Sequence, residues 1–320
     1  MTAPATARRV ADWKLALAAA VAVLAFAFIG ARGVGYRLFE RGGLVTPPNG
    51  PETPETFGAP YTRLSVQSGT RRLDATAVDA ASPGAPVLVV AHGTNEALSY
   101  WADVQALWRS AGVASLVFDY SGFGASTGRA TAEHCTEDVA AAWAAAHAYF
   151  GRGRRYVYVG YSLGTGPVLA AVPTLAPQPD GLALVAGYSS ARAGAVAYLK
   201  VPAWTTWVMP DLWNNERAVR GAAAPVLVVH SAADSTFPIA MAERVAAAAG
   251  ARARFVRLGG PAHADGHARP TLEYWGAVLD FARGASPRDA TAQSSRPKAT
   301  TARQTRGASG DASSARPAPT

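Results

Sequence analysis

Residues 157–166 read "VYVGYSLGTG". The apolar and aromatic side chains at 157, 158, 159 and 161 have the near-continuous character of a strand buried on both faces. Ser162 follows, with Gly160 two positions before it and Gly164 two after, the pattern G-x-S-x-G. Residues 163–172 read as a helix. A chain that turns from strand to helix in so few residues strains the backbone of the turning residue. Its neighbours must be small for strand and helix to approach. The hydroxyl is then presented at the C-terminal edge of the sheet and the positive end of the next helix. The spacing marks Ser162 as a candidate nucleophile. A loop serine beside packing glycines would explain the five letters but not the strand before them and the helix after.

Similar apolar runs flank this one: "PVLVVAH" (86–92), "ASLVFDY" (114–120), "LALVAGY" (182–188), "PVLVVH" (225–230) and "RFVRL" (254–258). Helix-like stretches separate them at 98–111, 131–150, 239–249 and 271–283. Alternating strand and helix predicts a mostly parallel sheet with right-handed crossovers and helices on both faces. "YTRLSVQSG" and "TRRLDATAV" read as an antiparallel hairpin on its edge. There is no internal repeat.

A serine nucleophile needs a base, and the base needs an acid to orient it. In a sheet of this kind the groups come in the order Ser, Asp or Glu, His, at the C-terminal ends of strands. Asp234 lies just past "PVLVVH"; His263 and His267 lie past "RFVRL". Asp180 precedes a strand and is at the wrong end. His263, five residues after Leu258, is the better-placed base, with His267 as the alternative. Backbone N–H groups of Leu163 and of Thr94, in "AHGTNE", are the expected donors to a developing oxyanion. His92 precedes the serine, the wrong order for the base, and reads as structural. "HADGH" also permits a metal reading through His263, Asp265 and His267, but no further His, Asp or Cys cluster has metal-site spacing. The expectation is no metal and no cofactor.

Taken together, "AHGTNE", "DYSGFGASTG", "GYSLG", "DLWNNERAVRGAAAPVLVVHSAADSTFP" and "GGPAHAD" resemble the successive signature blocks of α/β-hydrolase-fold serine hydrolases over about residues 36–283. The nearest resemblance is to the N-terminally membrane-anchored single-domain branch. That branch includes acyl-protein thioesterases, lysophospholipase or monoacylglycerol-type lipases, and peptidase-like relatives. The resemblance implies an α/β-hydrolase fold with a small aromatic-rich cap. It implies Ser162 as nucleophile, Asp234 as acid, His263 as base and Thr94 and Leu163 as oxyanion donors, with Asp119 structural. Two positions depart from the pattern. His230-Ser231 stands where the family has His-Gly, and Ala262-His263-Ala264-Asp265 where it often has Gly-His.

The rest of the chain bounds the setting. "LALAAAVAVLAFAFIGA" (15–31) is uncharged and as a helix would be about 25 Å long, near the lower limit for crossing a bilayer. Lys14 and Arg32 suit snorkelling at its ends, and Trp13 and Tyr36 suit the interfaces. A single-pass membrane anchor within residues 1–41 is expected; a cleaved signal peptide followed by secretion is the alternative. Three basic residues on each side leave the orientation open. Residues 42–60 read as a Pro/Gly-rich linker, 61–285 as the catalytic domain and 286–320 as a disordered basic tail. The net charge of +8 sits in the ends: residues 1–41 and 286–320 each carry six basic and two acidic residues, and the remainder is neutral. A neutral core argues against nucleic acid as a partner. The one cysteine, Cys135, reads as a buried apolar filler. In the cap, about 191–215, Tyr198, Trp204, Trp207, Met209 and Trp213 suit either a groove for an acyl chain, a membrane rim, or a cover over the sheet. The substrate expected is an ester or thioester with an acyl or lipid-like group, as a small molecule or an acylated protein. Amide or aminopeptidase-like hydrolysis is the alternative enzyme reading, and a non-catalytic scaffold for a hydrophobic ligand the alternative of another class.

Overall fold

Successive residues of Val87–Ala91 go to opposite sides of a sheet. Val87, Val89 and Ala91 join one buried cluster; Leu88 and Val90 join another. All five are fully buried, so the strand needs apolar residues at every position rather than at alternate ones. This holds for most of the sheet in the structure, a computed structural model that describes residues 5–284. The tail expected to be disordered, 286–320, lies outside the described residues.

In chain order the elements are α1 (Ala5–Gly43), β1 (Thr62–Ser68), β2 (Arg71–Val78), β3 (Val87–Ala91), α2 (Ala102–Ser110), β4 (Ala114–Phe118), α3 (Ala132–Phe150), β5 (Tyr156–Tyr161), α4 (Thr165–Ala171) and β6 (Gly181–Val185). There follow α5 (Ala191–Leu199), α6 (Asn215–Ala218), β7 (Val226–Ser231), α7 (Ile239–Ala249), β8 (Ala253–Leu258), α8 (Asp265–Ala268) and α9 (Leu272–Ala282). The eight strands form one sheet in the order β1-β2-β4-β3-β5-β6-β7-β8. β1 pairs with β2, and β2 with β4, antiparallel; all other pairs are parallel. The expected hairpin is therefore at the edge, joined to the sheet through β4. Residues of α3, α4 and α7 pack in the cluster on one face, and those of α2 and α9 in the cluster on the other. The chain has the α/β-hydrolase fold.

Two segments are more closely tied to the sheet than their composition implies. α1 continues past its apolar stretch, through Gly33 and Gly35, to Gly43. Glu40 near its end is buried and accepts from the N–H of Ala132 at the start of α3. The residues after α1 do not run free. Val45 N–H donates to Thr94 Oγ1, Gly50 N–H to Ser99 Oγ, and the Asn49 amide to Asp119. Several backbone groups of this Pro/Gly-rich stretch, at Val45, Pro47 and Gly50, are satisfied by loops at the C-terminal edge of the sheet.

Candidate active site

The turn after β5 has the form its glycines demand. A Cβ on Gly160 would lie 2.8 Å from Thr165 Cα, and one on Gly164 would lie 1.9 Å from the Ala91 carbonyl oxygen. Neither leaves room for a side chain. Between them Ser162 has φ of 50°, a left-handed conformation uncommon for a serine and held here by the packing on both sides. The residue is buried, 5% exposed, rather than standing free above the sheet. The loop after β3 lies against it: a Cβ on Gly93 would be 3.3 Å from Ser162 Cβ.

Three side chains from three loops meet here. Ser162 Oγ is 2.8 Å from His263 Nε2, and His263 Nδ1 is 2.7 Å from Asp234 Oδ2. With Nδ1–H donating to the carboxylate, Nε2 presents its lone pair and the serine hydroxyl donates to it. Asp234 sits in the turn after β7, where its other oxygen accepts from the N–H groups of Thr236 at 2.8 Å and Phe237 at 2.9 Å. Burial of Asp234 favours its neutral form, but His263, the Phe237 N–H and His230 outweigh it and hold its pKa below the usual carboxylate value. Beneath this turn His230 donates from Nε2 to the Phe237 carbonyl, at 2.9 Å. Burial pushes its pKa down, which keeps the ring neutral. Ser231, where the family has glycine, accepts from Ala233 N–H within the same turn. The Tyr161 hydroxyl donates to the His263 carbonyl, and Phe237 meets the His263 ring edge-on at 5.2 Å. The serine, acid and base named from the sequence are thus brought together.

Of the two expected oxyanion donors, Leu163 is next to the serine in the chain, and Thr94 is next to Gly93, the residue that lies against it. Thr94 is fixed through its own side chain, which accepts from Val45 N–H, and through Asn95 N–H, which donates to the Val45 carbonyl. Asn95 is left-handed, with φ of 58°.

One buried pairing beside the site escaped the sequence reading. Glu96, in the same loop, is 4% exposed. Its Oε2 accepts from Gly93 N–H and from the Trp101 indole, both at 2.9 Å. Its Oε1 lies 3.4 Å from His267 Nε2. His267 therefore serves the loop beside Ser162 and does not meet the serine. Burial alone would raise the pKa of Glu96 and lower that of His267. The charge attraction between them reverses both, so Glu96 is held low and His267 high. Nothing in the spacing of Glu96 and His267 marks them as partners; only the fold brings the two loops together.

The side chains of "HADGH" go to separate partners. His263 faces Ser162, His267 faces Glu96, and Asp265 accepts from Ala262 N–H and pairs with Arg269. Among the described residues no three His, Cys, Asp or Glu side chains form a metal set. His92 is fully buried, its Nδ1 donating to the Gly93 carbonyl, and Asp119 accepts from Leu98 N–H and Asn49, tying loops at the sheet edge. Cys135 is fully buried, and burial pushes its thiol pKa well up. The cap aromatics divide: Met209 and Trp213 are buried, whereas Tyr198, Trp204 and Trp207 are exposed.

Matches to known proteins agree with the α/β-hydrolase fold of the chain. A family model described as serine aminopeptidase, S33, matches residues 83–218. An uncharacterised protein of Mycobacterium tuberculosis is 30% identical over 185 residues, 56% of this chain and 63% of that protein. The human protein ABHD12B is 27% identical over 173 residues, 49% of this chain and 48% of that protein. The chain thus matches less than two thirds of the length of these relatives. Among solved structures, an esterase of Pyrococcus furiosus superposes with a TM-score of 0.62 at 15% identity, covering 76% of this chain and 99% of the esterase.

Proposed function

We propose that the protein is a serine hydrolase that cleaves esters or thioesters of acyl or lipid-like substrates through an acyl-enzyme. The observation that carries this reading is the continuous hydrogen-bonded line from Ser162 Oγ through His263 to Asp234. His263 Nε2 takes the proton of Ser162 as its oxygen attacks the carbonyl carbon. The carbonyl oxygen becomes an oxyanion and is met by the N–H groups of Thr94 and Leu163. Asp234 keeps the Nδ1–H tautomer and stabilises the imidazolium. His263 then gives its proton to the leaving alcohol or thiol. Water, activated by the same imidazole, attacks the acyl-enzyme, releases the acid and restores Ser162. All protons are carried by residues of this chain, and no cofactor enters. The ester preference draws on the solved esterase and on the apolar character of the cap and N-terminal helix.

The test is hydrolysis of p-nitrophenyl esters of increasing chain length beside aminoacyl-anilides, with the wild type and Ser162→Ala. The reading expects ester turnover that requires Ser162. Turnover confined to the anilides would favour amide hydrolysis, a second reading that rests on the serine aminopeptidase match. Ester turnover unchanged in Ser162→Ala would overturn both.

A further inference from the structure

The depth of the cap relative to a bilayer can be read from contacts along α1, given the reading of residues 15–31 as membrane-spanning. Phe28 lies within that apolar stretch. The Arg32 guanidinium is 5.6 Å from the Phe28 ring centroid, and as a charge it belongs at the headgroup level. This one ring therefore lies just below the boundary of the hydrocarbon. The Trp207 ring stacks on it, with centroids 5.3 Å apart and planes inclined by 29°. Higher on the helix Gly35 is buried against the cap backbone. A Cβ there would be 3.3 Å from the Val208 oxygen and 3.4 Å from Met209 Cα. Higher still Phe39 meets Trp213 edge-on at 5.8 Å. From Trp213 back to Trp207 the cap descends along α1 towards the membrane, over about 16 Å of helix.

Exposure follows this descent. At the upper end Trp213 is 8% and Met209 9% exposed; at the lower end Trp207 is 57%, Trp204 74%, Leu199 56% and Tyr198 53% exposed. Elsewhere on the described α/β domain the exposed large apolar residues fall singly along the sequence, as at Tyr149 and Leu272. Here four fall within ten positions, with Lys200 beside them. Tryptophan and tyrosine favour the layer between headgroups and acyl chains.

We infer that residues 198–207 are inserted in the interfacial layer of the same phospholipid bilayer that α1 spans. The domain is then held by two attachments, a helix through the membrane and an aromatic foot in its surface. The cap follows β6 at the C-terminal edge of the sheet, so that edge, where Ser162 stands, is kept beside the lipid.

The test uses the full chain in phosphatidylcholine vesicles. A nitroxide is placed at one introduced cysteine at a time: Trp204→Cys, Tyr198→Cys, Ala20→Cys and Arg152→Cys. The native Cys135 is buried. Collision rates with oxygen, which concentrates in lipid, and with a water-soluble nickel chelate give the depth of each label. Labels at 20, 198 and 204 should be several-fold less accessible to nickel than the label at 152, with 20 the deepest. Nickel access at 198 and 204 equal to that at 152, with 20 still protected, would overturn the inference and leave the membrane anchor standing. Nickel access at 20 would overturn the anchor, and this inference with it.

Discussion

Both carboxylate oxygens of Asp234 are committed: one to two backbone N–H groups, the other to His263. Replacing Asp234 by Asn keeps the backbone contacts but turns an N–H₂ towards His263, which favours the wrong tautomer. The expected result is a loss of about 10³–10⁴ in kcat with KM little changed, measured by steady-state kinetics on a p-nitrophenyl ester. Glu96 and His267 give a second prediction. Glu96 is held low in the fold, so its contribution to stability is present above its unfolded value and lost as pH falls through the folded one. His267 is held high, so its contribution is present below its unfolded value and lost as pH rises through the folded one. The pair therefore contributes most between about pH 4.3 and 6.5, the unfolded values of the two groups. Melting temperatures across pH should show the wild type most above Glu96→Gln within this window, with the gap narrowing on either side. A constant gap would contradict the account. That Ser162, Asp234 and His263 would meet was legible from chain order because each follows a strand. The Glu96–His267 pair was not, because no local pattern joins the loop after β3 to the loop after β8.

At the level of elements, the strand–turn–helix at Ser162 depends on backbone approach. Gly164→Ala would drive a methyl group into the Ala91 carbonyl of β3. Overpacking of this kind costs about 1–3 kcal/mol, and here the obstructing atom is backbone. The variant should unfold at lower denaturant concentration in an equilibrium titration and lose activity in its folded fraction. A variant as stable and active as the wild type would show that strand and turn are not in such contact. The buried strands were legible because a sheet covered on both faces requires apolar residues at every position, as at Val226–Val229. β8 was the least distinct, with Arg254 and Arg257 in it and most of its residues half-buried. The length of α1 was obscured by its glycines, which in water weaken a helix. Gly35 is retained because only a bare backbone lets Val208 and Met209 approach so closely.

For the whole molecule, the N-terminal region and the α/β domain share one packing scheme. Phe39, Glu40 and Leu44 contact Trp213, the start of α3 and the core respectively. A chain beginning at residue 32 keeps these contacts; one beginning at residue 45 loses them. The shorter chain should be less stable by about 2 kcal/mol or more, from the lost apolar burial and the lost partner of Ala132 N–H, as measured by urea unfolding. Equal stabilities would mean that the end of α1 adds nothing to the domain. Composition already showed that the net charge lies in the ends and the core is neutral, but not that residues 32–50 are built into the domain. The central claim is that Ser162 is a nucleophile activated by His263. It is tested most directly by intact-mass analysis and peptide mapping after treatment with a fluorophosphonate. The account predicts one adduct per chain, on Ser162, absent from Ser162→Ala and much slower to form in His263→Ala. An unmodified wild type, or an adduct that persists in Ser162→Ala, would contradict it.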